Sequence, residues 1–204
     1  AICQHYEMFQ AEDDLVLINT YLQFMKYCMQ TNGLFLNYVN TQKEFTQQNF
    51  PENLEDSNGR CIWALGYLIS LNKILPNHLI EEAERLLEDG LPHLQNIHST
   101  RAMAFIIKGL HYQNKIENLY LLQMLSNRLV QMYKHEKAND WFWFESYLTY
   151  GNSVLPEALL CAYLSTNNTK YKKIAKESFD FLLSKIFMAG KIKVISNKGW
   201  HLKD

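Results

Sequence analysis

The sequence contains little glycine and proline, with 8 and 4 residues among 204. Few turn-forming residues and long periodic segments together favour helices over a fold built from many short strands. The formal net charge is -1 at pH 7, so the chain has no electrostatic basis for binding nucleic acid. No apolar run approaches the ~18–20 residues that a membrane-spanning helix needs. We therefore expect a helical protein with no membrane span and no signal peptide.

Cysteine is sparse as well, and its spacing is not that of a metal site. The four cysteines lie far apart, at Cys3, Cys28, Cys61 and Cys161. Three of them fall in apolar helical segments, where we expect small buried hydrophobic residues. Thiols without a disulfide framework fit a reduced, cytoplasmic setting. We expect no metal and no cofactor, and a length of 204 residues predicts a single domain.

What the sequence does contain is hydrophobic periodicity, which predicts seven helices. We place them at residues 11–29, 61–71, 76–90, 102–111, 116–134, 153–164 and 169–187. Apolar and polar side chains alternate at residues 34–40 and 191–195, which predicts short extended segments.

Helices that are apolar on all sides alternate with amphipathic ones, and a small polar loop precedes each apolar helix, at residues 57–59, 98–100 and 151–153. These loops recur at roughly 40–55 residues, the length of one helical hairpin. An apolar helix must lie inside and an amphipathic one must face water. We therefore predict an all-α fold of helical hairpins in two layers, with short β segments in loops. It is either an open solenoid or part of a closed (α/α) toroid, and the polar loops meet at one rim.

One segment, residues 140–158, concentrates aromatic side chains around a single acid, Glu145. Its aromatic residues are Trp141, Phe142, Trp143, Phe144, Tyr147 and Tyr150. Flat aromatic faces beside well-separated polar groups are typical of a sugar-binding cleft. A tightly packed core loop would have the same composition, so both interpretations stay open.

Asp56 and Glu145 are the candidate pair of catalytic carboxylates. A glycoside hydrolase uses two acids about 5–10 Å apart, here with Glu145 as the acid and Asp56 as the base or nucleophile. Arg60 and Arg101 stand at equivalent positions near two predicted helix starts. A cation is unfavourable there, which suggests that each arginine pairs with an acid or binds a ligand. The alternative is structural, with Asp56 as a cap or ion-pair partner and Glu145 bonded to backbone.

The candidate stacking surface for sugar rings is a set of six aromatic residues. They are Trp63, Trp141, Trp143, Tyr147, Tyr150 and Trp200. Because aromatic residues at helical spacing usually pack inside a protein, we expect half of them to belong to the core.

Three segments resemble a known family. They read Glu-Asp-Ser-Asn-Gly-Arg-Cys-Ile-Trp-Ala-Leu-Gly at 55–66, Ser-Thr-Arg-Ala at 99–102, and Trp-Phe-Trp-Phe-Glu-Ser-Tyr-Leu-Thr-Tyr-Gly-Asn at 141–152, with Leu-Pro-Glu-Ala-Leu following at 155–159. They are similar to an α-helical domain of bacterial proteins that often follows a group 1 glycosyltransferase domain and is related to the six-hairpin (α/α) glycosidases. The resemblance covers residues 35–200. It implies that residues 1–204 form one α/α-hairpin domain, which is either a portion of a larger toroid or a naturally short member of the family.

The resemblance also implies which residues form the site. They are Asn37, Asp56, Arg60, Trp63, Arg101, Trp143, Glu145, Tyr147, Tyr150 and Asn152. Two positions depart from the family pattern, because Gly151 stands where an acid is usual and Thr100 stands where proline is common. The missing acid weakens the case for catalysis.

The expected function is therefore carbohydrate binding or processing in bacterial glycan metabolism, with an oligosaccharide as the ligand. In this hypothesis Trp141, Trp143 and Tyr147 stack on sugar rings, and Arg60, Arg101 and Asn152 bind hydroxyl groups. The expected protein partner is a glycosyltransferase domain or a second copy of the chain. The alternative function is a non-catalytic helical scaffold that binds another protein.

Overall fold

The computed structural model describes residues 1–188, 190–195 and 199–203. Across these residues the chain forms eight α-helices: α1 (Ile2–Phe9), α2 (Glu12–Cys28), α3 (Glu55–Ser70), α4 (Asn77–Gly90), α5 (Thr100–Gln113), α6 (Leu119–Glu136), α7 (Val154–Thr166) and α8 (Thr169–Ile186). Short 3-10 helices cover Gln47–Asn49, Leu91–Asn96 and Ile116–Asn118. The all-α prediction is confirmed. In the described part of the chain, no helix has the length and apolar character needed to cross a membrane.

The helices form two layers, as the alternation of apolar and amphipathic segments predicts. α3, α5 and α7 pack side by side, and each packs against the helix that follows it, α4, α6 or α8. α5 lies in the middle, and every side chain from Thr100 to Leu110 is buried. α4 buries only one stripe, which includes Leu79, Ala83 and Leu87. The hairpin architecture is therefore confirmed, while closure of the array into a toroid stays a prediction.

The inner helices α3 and α5 run parallel and approach each other unusually closely. Gly59 lies against Ala102, and Gly66 lies against Gly109, so contacting residues advance in the same direction along both helices. A Cβ atom on Gly66 would lie 2.1 Å from the Gly109 carbonyl oxygen, and one on Gly109 would lie 2.5 Å from the Ile62 carbonyl oxygen. Only glycine permits this separation. Because α3 and α5 are parallel, their N-terminal ends lie at the same edge of the array.

α1 was not predicted from the sequence. Only Tyr6 of this eight-residue helix is buried, so its periodic signal is too short to recognise. Gln10 ends it at φ 48°, a left-handed conformation that glycine or asparagine usually adopts. The sequence therefore carries no ordinary stop signal at this point.

The segment at residues 34–40 forms isolated bridges rather than the extended strand we predicted. Phe35 pairs with Met29, and Val39 pairs with Phe45. Several of its backbone groups bond instead to side-chain amides. Phe35 donates its N–H to the Asn58 Oδ1 at 2.8 Å and accepts from the Asn58 Nδ2 at 3.0 Å. An asparagine side chain thus takes the place of a neighbouring strand.

Two small antiparallel pairs of strands lie in loops near the end of the chain. β2 (Phe187–Met188) pairs with β3 (Lys191–Ile192), which covers the first part of the extended segment predicted at 191–195. β1 (Tyr147–Leu148) pairs with β4 (His201–Leu202), and no sequence pattern predicted this contact. The second pair places the end of the chain against the aromatic segment.

Candidate functional site

The start of α3 and the loops before α5 and α7 meet at one rim of the array, as predicted, although residues 57–59, predicted to be a loop, belong to the first turns of α3. Ser99 is the N-cap of α5, and its hydroxyl oxygen accepts from the Ala102 N–H at 3.2 Å. The same hydroxyl donates to the Asp56 Oδ1 at 2.6 Å. The neighbouring Glu55 carboxylate accepts from the backbone N–H of His98 at 2.9 Å. The two acids at the start of α3 therefore hold the start of α5 in place.

Glu145 forms a buried ion pair with Arg101. Both Glu145 carboxylate oxygens lie 2.9 Å from the Arg101 Nη1, and Thr100 donates its hydroxyl to the Glu145 Oε1 at 2.6 Å. The Arg101 side chain is only 5% exposed and that of Glu145 only 11%. Arg101 also donates from Nε to the Tyr150 carbonyl oxygen at 2.7 Å. The structural alternative for Arg101, pairing with an acid, is the one that the geometry favours.

Asp56 and Glu145 belong to one network of hydrogen bonds, which runs through the adjacent residues Ser99 and Thr100. Asp56 accepts from the Ser99 hydroxyl through Oδ1 and from the Tyr150 hydroxyl through Oδ2. Each carboxylate therefore has protein donors on both of its oxygens. Asp56 thus orients the hydroxyl groups of Ser99 and Tyr150, and Glu145 orients the side chains of Thr100 and Arg101.

Asn152 shapes the turn that leads into α7. Its side chain accepts from the Thr149 N–H at 3.1 Å and donates to the Thr149 carbonyl oxygen at 2.8 Å. Its Oδ1 also lies 3.4 Å from the Arg101 Nη2. The residue is buried, so its amide serves the loop and Arg101 in this structure.

Trp141 and Trp143 are core residues. Trp143 is 0% exposed and Trp141 is 3% exposed. Trp141 packs against Phe181 of α8, and its ring N–H donates to the Glu145 carbonyl oxygen at 2.7 Å. Neither ring offers a face to a ligand, which corrects the prediction that both stack on sugar rings. The segment has alternating large side chains, but α8 covers them from the outside.

Three other aromatic residues border an open cleft at the rim. The rings of Tyr147 and Trp200 stack with centroids 4.9 Å apart, and Trp200 is 48% exposed. Tyr150 is 46% exposed, and its ring lies over the Arg101 guanidinium at 4.9 Å. The cleft has a volume of about 490 Å³, and Ser99, Thr100, Glu145 and Ser146 also line it. The pairing of β1 with β4 brings Trp200 to this position.

Arg60, Trp63 and Asn37 do not line the rim cleft. Trp63 stacks on Phe105 at 5.6 Å, and Arg60 lies over the same Phe105 ring at 4.4 Å. Both face a second groove, between α3 and α2. Among the described acids, none forms an ion pair with Arg60. Asn37 is exposed in the loop before α3, where its backbone N–H donates to the Asn49 Oδ1 at 2.9 Å.

Two interactions of residues on or next to α5 were not predicted from the sequence. Ser99 links the cap of α5 to Asp56, and a serine directly before an apolar helix is a signal that could have identified it. Lys108 lies within the buried helix α5, where it forms an ion pair with Glu157 at 2.7 Å and lies over the Trp63 ring at 3.7 Å. A lysine inside an apolar helix is itself a sign of a buried pair.

Comparison with known proteins identifies no family for this chain. The sequence matches no protein-family model, and no curated protein is significantly similar to it. The resemblance to the helical domain of glycosyltransferase-associated proteins therefore stays a prediction that rests on the three quoted segments.

The contact between Tyr150 and Asp56 predicts a pH dependence. Burial, reinforced by the Asp56 carboxylate, raises the pKa of Tyr150 from 10.0 to about 12. The folded state then holds this proton more tightly than the unfolded state, so the contact stabilises the fold fully below pH 10 and loses its effect as the pH rises towards 12.

We therefore expect Tyr150→Phe to be less stable than the wild type by about 1 kcal/mol at pH 8, because a half-exposed hydrogen bond to a charged group is lost. The difference should shrink between pH 10 and pH 12. Urea unfolding of both proteins across this pH range measures it, and the other tyrosines cancel in the comparison. A difference that stays constant to pH 12 would contradict the assigned contact.

Proposed function

We propose that the rim cleft binds a carbohydrate. The observation that carries this proposal is the grouping of partly exposed aromatic rings, Tyr147, Tyr150 and Trp200, around the polar groups of Glu145 and Thr100. Aromatic faces provide apolar contact for the C–H faces of a sugar ring, and hydroxyl and carboxylate oxygens bond to its hydroxyl groups. The cleft combines these aromatic faces with a larger number of polar lining residues, which supply hydrogen-bonding groups for the hydroxyls of a sugar.

The geometry supports binding better than hydrolysis. A glycosidase needs one carboxyl group that gives a proton and a second carboxylate that attacks or activates water. Here Arg101 and Thr100 bond to Glu145, and Ser99 and Tyr150 bond to Asp56. We therefore assign both acids a positioning role, in which they fix Tyr150 and the start of α5. The link to bacterial glycan metabolism and to a glycosyltransferase rests on the sequence resemblance.

Glycan-array binding with the full chain tests this proposal. We expect the wild type to bind at least one class of oligosaccharide, and Trp200→Ala to bind about tenfold more weakly because it removes an exposed stacking face. Tyr120→Ala is the matched control, since Tyr120 is 77% exposed on α6 and lies outside the cleft. Its binding should equal that of the wild type. If the wild type binds no glycan, or if both variants bind equally well, the proposal is wrong.

A turnover measurement separates binding from catalysis. Incubation of the bound oligosaccharide with the wild type should release no reducing sugar. Release by the wild type that disappears in Glu145→Gln would instead identify a hydrolase with Glu145 at its centre.

A second candidate, a scaffold for protein association, is favoured by a different observation. Large apolar side chains are exposed at both ends of the helical array, including Leu17, Tyr21 and Phe24 on α2 and Leu164 and Phe179 on α7 and α8. Contiguous exposed apolar surface often marks a protein interface.

A further inference from the structure

One end of the array exposes an apolar groove between α7 and α8. α7 packs against α5, α6 and α8, and no described helix covers its remaining face. Leu160 and Leu164 lie one helical turn apart on that face and are 44% and 59% exposed. Phe179 and Leu183 form a matching stripe on α8. The groove between the two helices has a volume of about 440 Å³.

The opposite end exposes a second groove of similar size, between α2 and α3. Its volume is about 410 Å³, and Tyr21, Phe24 and Trp63 line it. The start of α1, residues 1–4, borders the same groove, and farther along this helix Tyr6 and Glu7 bond to Ile74 and Tyr67. Trp63, near the middle of α3, faces the open groove.

The repeat of the hairpins defines how a further hairpin would dock. Outer helices that neighbour each other run parallel. Along α6 and α8, Asn127 bonds to Tyr171 and Tyr133 bonds to Glu177, so contacting residues advance together. A second copy that continues the array beyond α8 would place its own α2 beside α8, also parallel. The N-terminal halves of these two helices would then lie next to each other.

The charges of these two N-terminal halves are opposite. α2 begins with three consecutive acids, of which Glu12 and Asp13 are exposed while Asp14 is buried against His5. The first two turns of α8 carry four lysines, Lys170, Lys172, Lys173 and Lys176. Of these, Lys172 and Lys176 line the α7–α8 groove itself. Opposite charges that meet across an interface select the partner and its orientation.

The charge pattern favours one of the two ways in which copies can pair. A two-fold contact between α7–α8 ends would leave the exposed acids at the start of α2 outside the contact. A head-to-tail contact places lysine against aspartate and glutamate, and apolar groove against apolar groove. Such a contact is heterologous, so it either closes into a ring or continues as a filament.

We propose that copies of this chain associate head to tail, with α7 and α8 of one copy against α2 and α3 of the next. The contact covers the exposed apolar residues at both ends of the array. It is independent of glycan binding at the rim, because none of the residues at either end lines the rim cleft.

Sedimentation velocity of the full chain over a range of concentrations tests the proposal. One double variant, Glu12→Lys with Asp13→Lys, reverses the acidic end, and a second, Lys172→Glu with Lys176→Glu, reverses the basic end. We expect each variant alone to self-associate at least about tenfold more weakly than the wild type. An equimolar mixture of the two should associate again, because each reversed end then meets an end of opposite charge.

Two further measurements separate an effect of charge from a loss of folding in the variants. Circular dichroism compares their helix content with that of the wild type, and a rise in salt should weaken association of the unmodified chain. Lys134→Glu, an exposed position on α6 away from both ends, is the matched control and should associate as the wild type does. A wild type that stays monomeric at every concentration overturns the proposal. Association that is as strong in each of the two reversed variants as in the wild type also overturns it. So does a mixture of the two variants that associates no more strongly than either variant alone.

Discussion

Replacement of Arg101 by methionine is expected to lower the free energy of unfolding by about 3–5 kcal/mol. Methionine keeps most of the side-chain volume but leaves the Glu145 carboxylate without its guanidinium partner. Arg101 and Glu145 are both largely buried at the edge of the cleft, so water replaces the lost contact only in part. The Tyr150 carbonyl oxygen loses its donor at the same time. The effect is therefore much larger than that of a surface ion pair.

The matched control for this change is Arg85→Met. Arg85 bonds to Glu82 at 2.6 Å, but its side chain is 52% exposed. Exposed pairs contribute roughly 0–1 kcal/mol, so we expect this variant to lose at most about 1 kcal/mol. Urea unfolding followed by circular dichroism measures both variants. Equal losses in Arg101→Met and Arg85→Met would contradict the burial of the Arg101–Glu145 pair.

A double-mutant cycle then separates the pair from the rest of the network. Glu145→Gln alone should also destabilise the fold, because it leaves the Arg101 charge buried without an opposite charge. The double variant Arg101→Met with Glu145→Gln should lose less stability than the sum of the two single variants, since no unpaired charge remains. Exact additivity would show that the two residues do not interact.

The layered fold could be predicted because it depends on periodicity alone. The apolar segment 102–111 has no polar face, so it had to lie inside, and α5 does. The segment 76–90 has a single apolar stripe, and α4 buries that stripe against α3. In both cases the composition of one helix determines its layer, and no knowledge of its partners is needed.

The site was harder to predict because burial of an aromatic side chain depends on what packs over it. Trp141 and Trp143 lie two residues apart in a segment that suggests a cleft, yet α8, which is distant in sequence, covers them. Trp200 faces the cleft only because β4 pairs with β1 across more than fifty residues. The roles of Asp56 and Glu145 likewise depend on donors from other elements. Residue type predicted that these side chains meet at one rim, and long-range contacts decide which of them are accessible.

The close approach of α3 and α5 predicts a second large effect. In Gly66→Ala, the new methyl group would lie 2.1 Å from the Gly109 carbonyl oxygen, which is main chain of a buried helix. The helices must separate to accept it, and overpacking of this kind costs about 1–3 kcal/mol or more. Alanine returns about 1 kcal/mol through its higher helix propensity. Since the contact involves backbone on both sides, the cost lies at the upper end of this range, and we expect a net loss of about 2 kcal/mol.

Gly90→Ala provides the matched control in a helix of the same array. A Cβ atom there would lie 3.3 Å from the Ile62 Cδ1, the end of a flexible side chain, and at an ordinary contact distance of 3.4 Å from the Gly33 carbonyl oxygen. We expect its unfolding free energy to stay within about 1 kcal/mol of the wild type. Urea unfolding of the two variants under identical conditions gives the comparison. If Gly66→Ala is as stable as Gly90→Ala, α3 and α5 do not approach each other at van der Waals distance. The parallel register that brings Asp56 to Ser99 at the rim would then lose its structural basis.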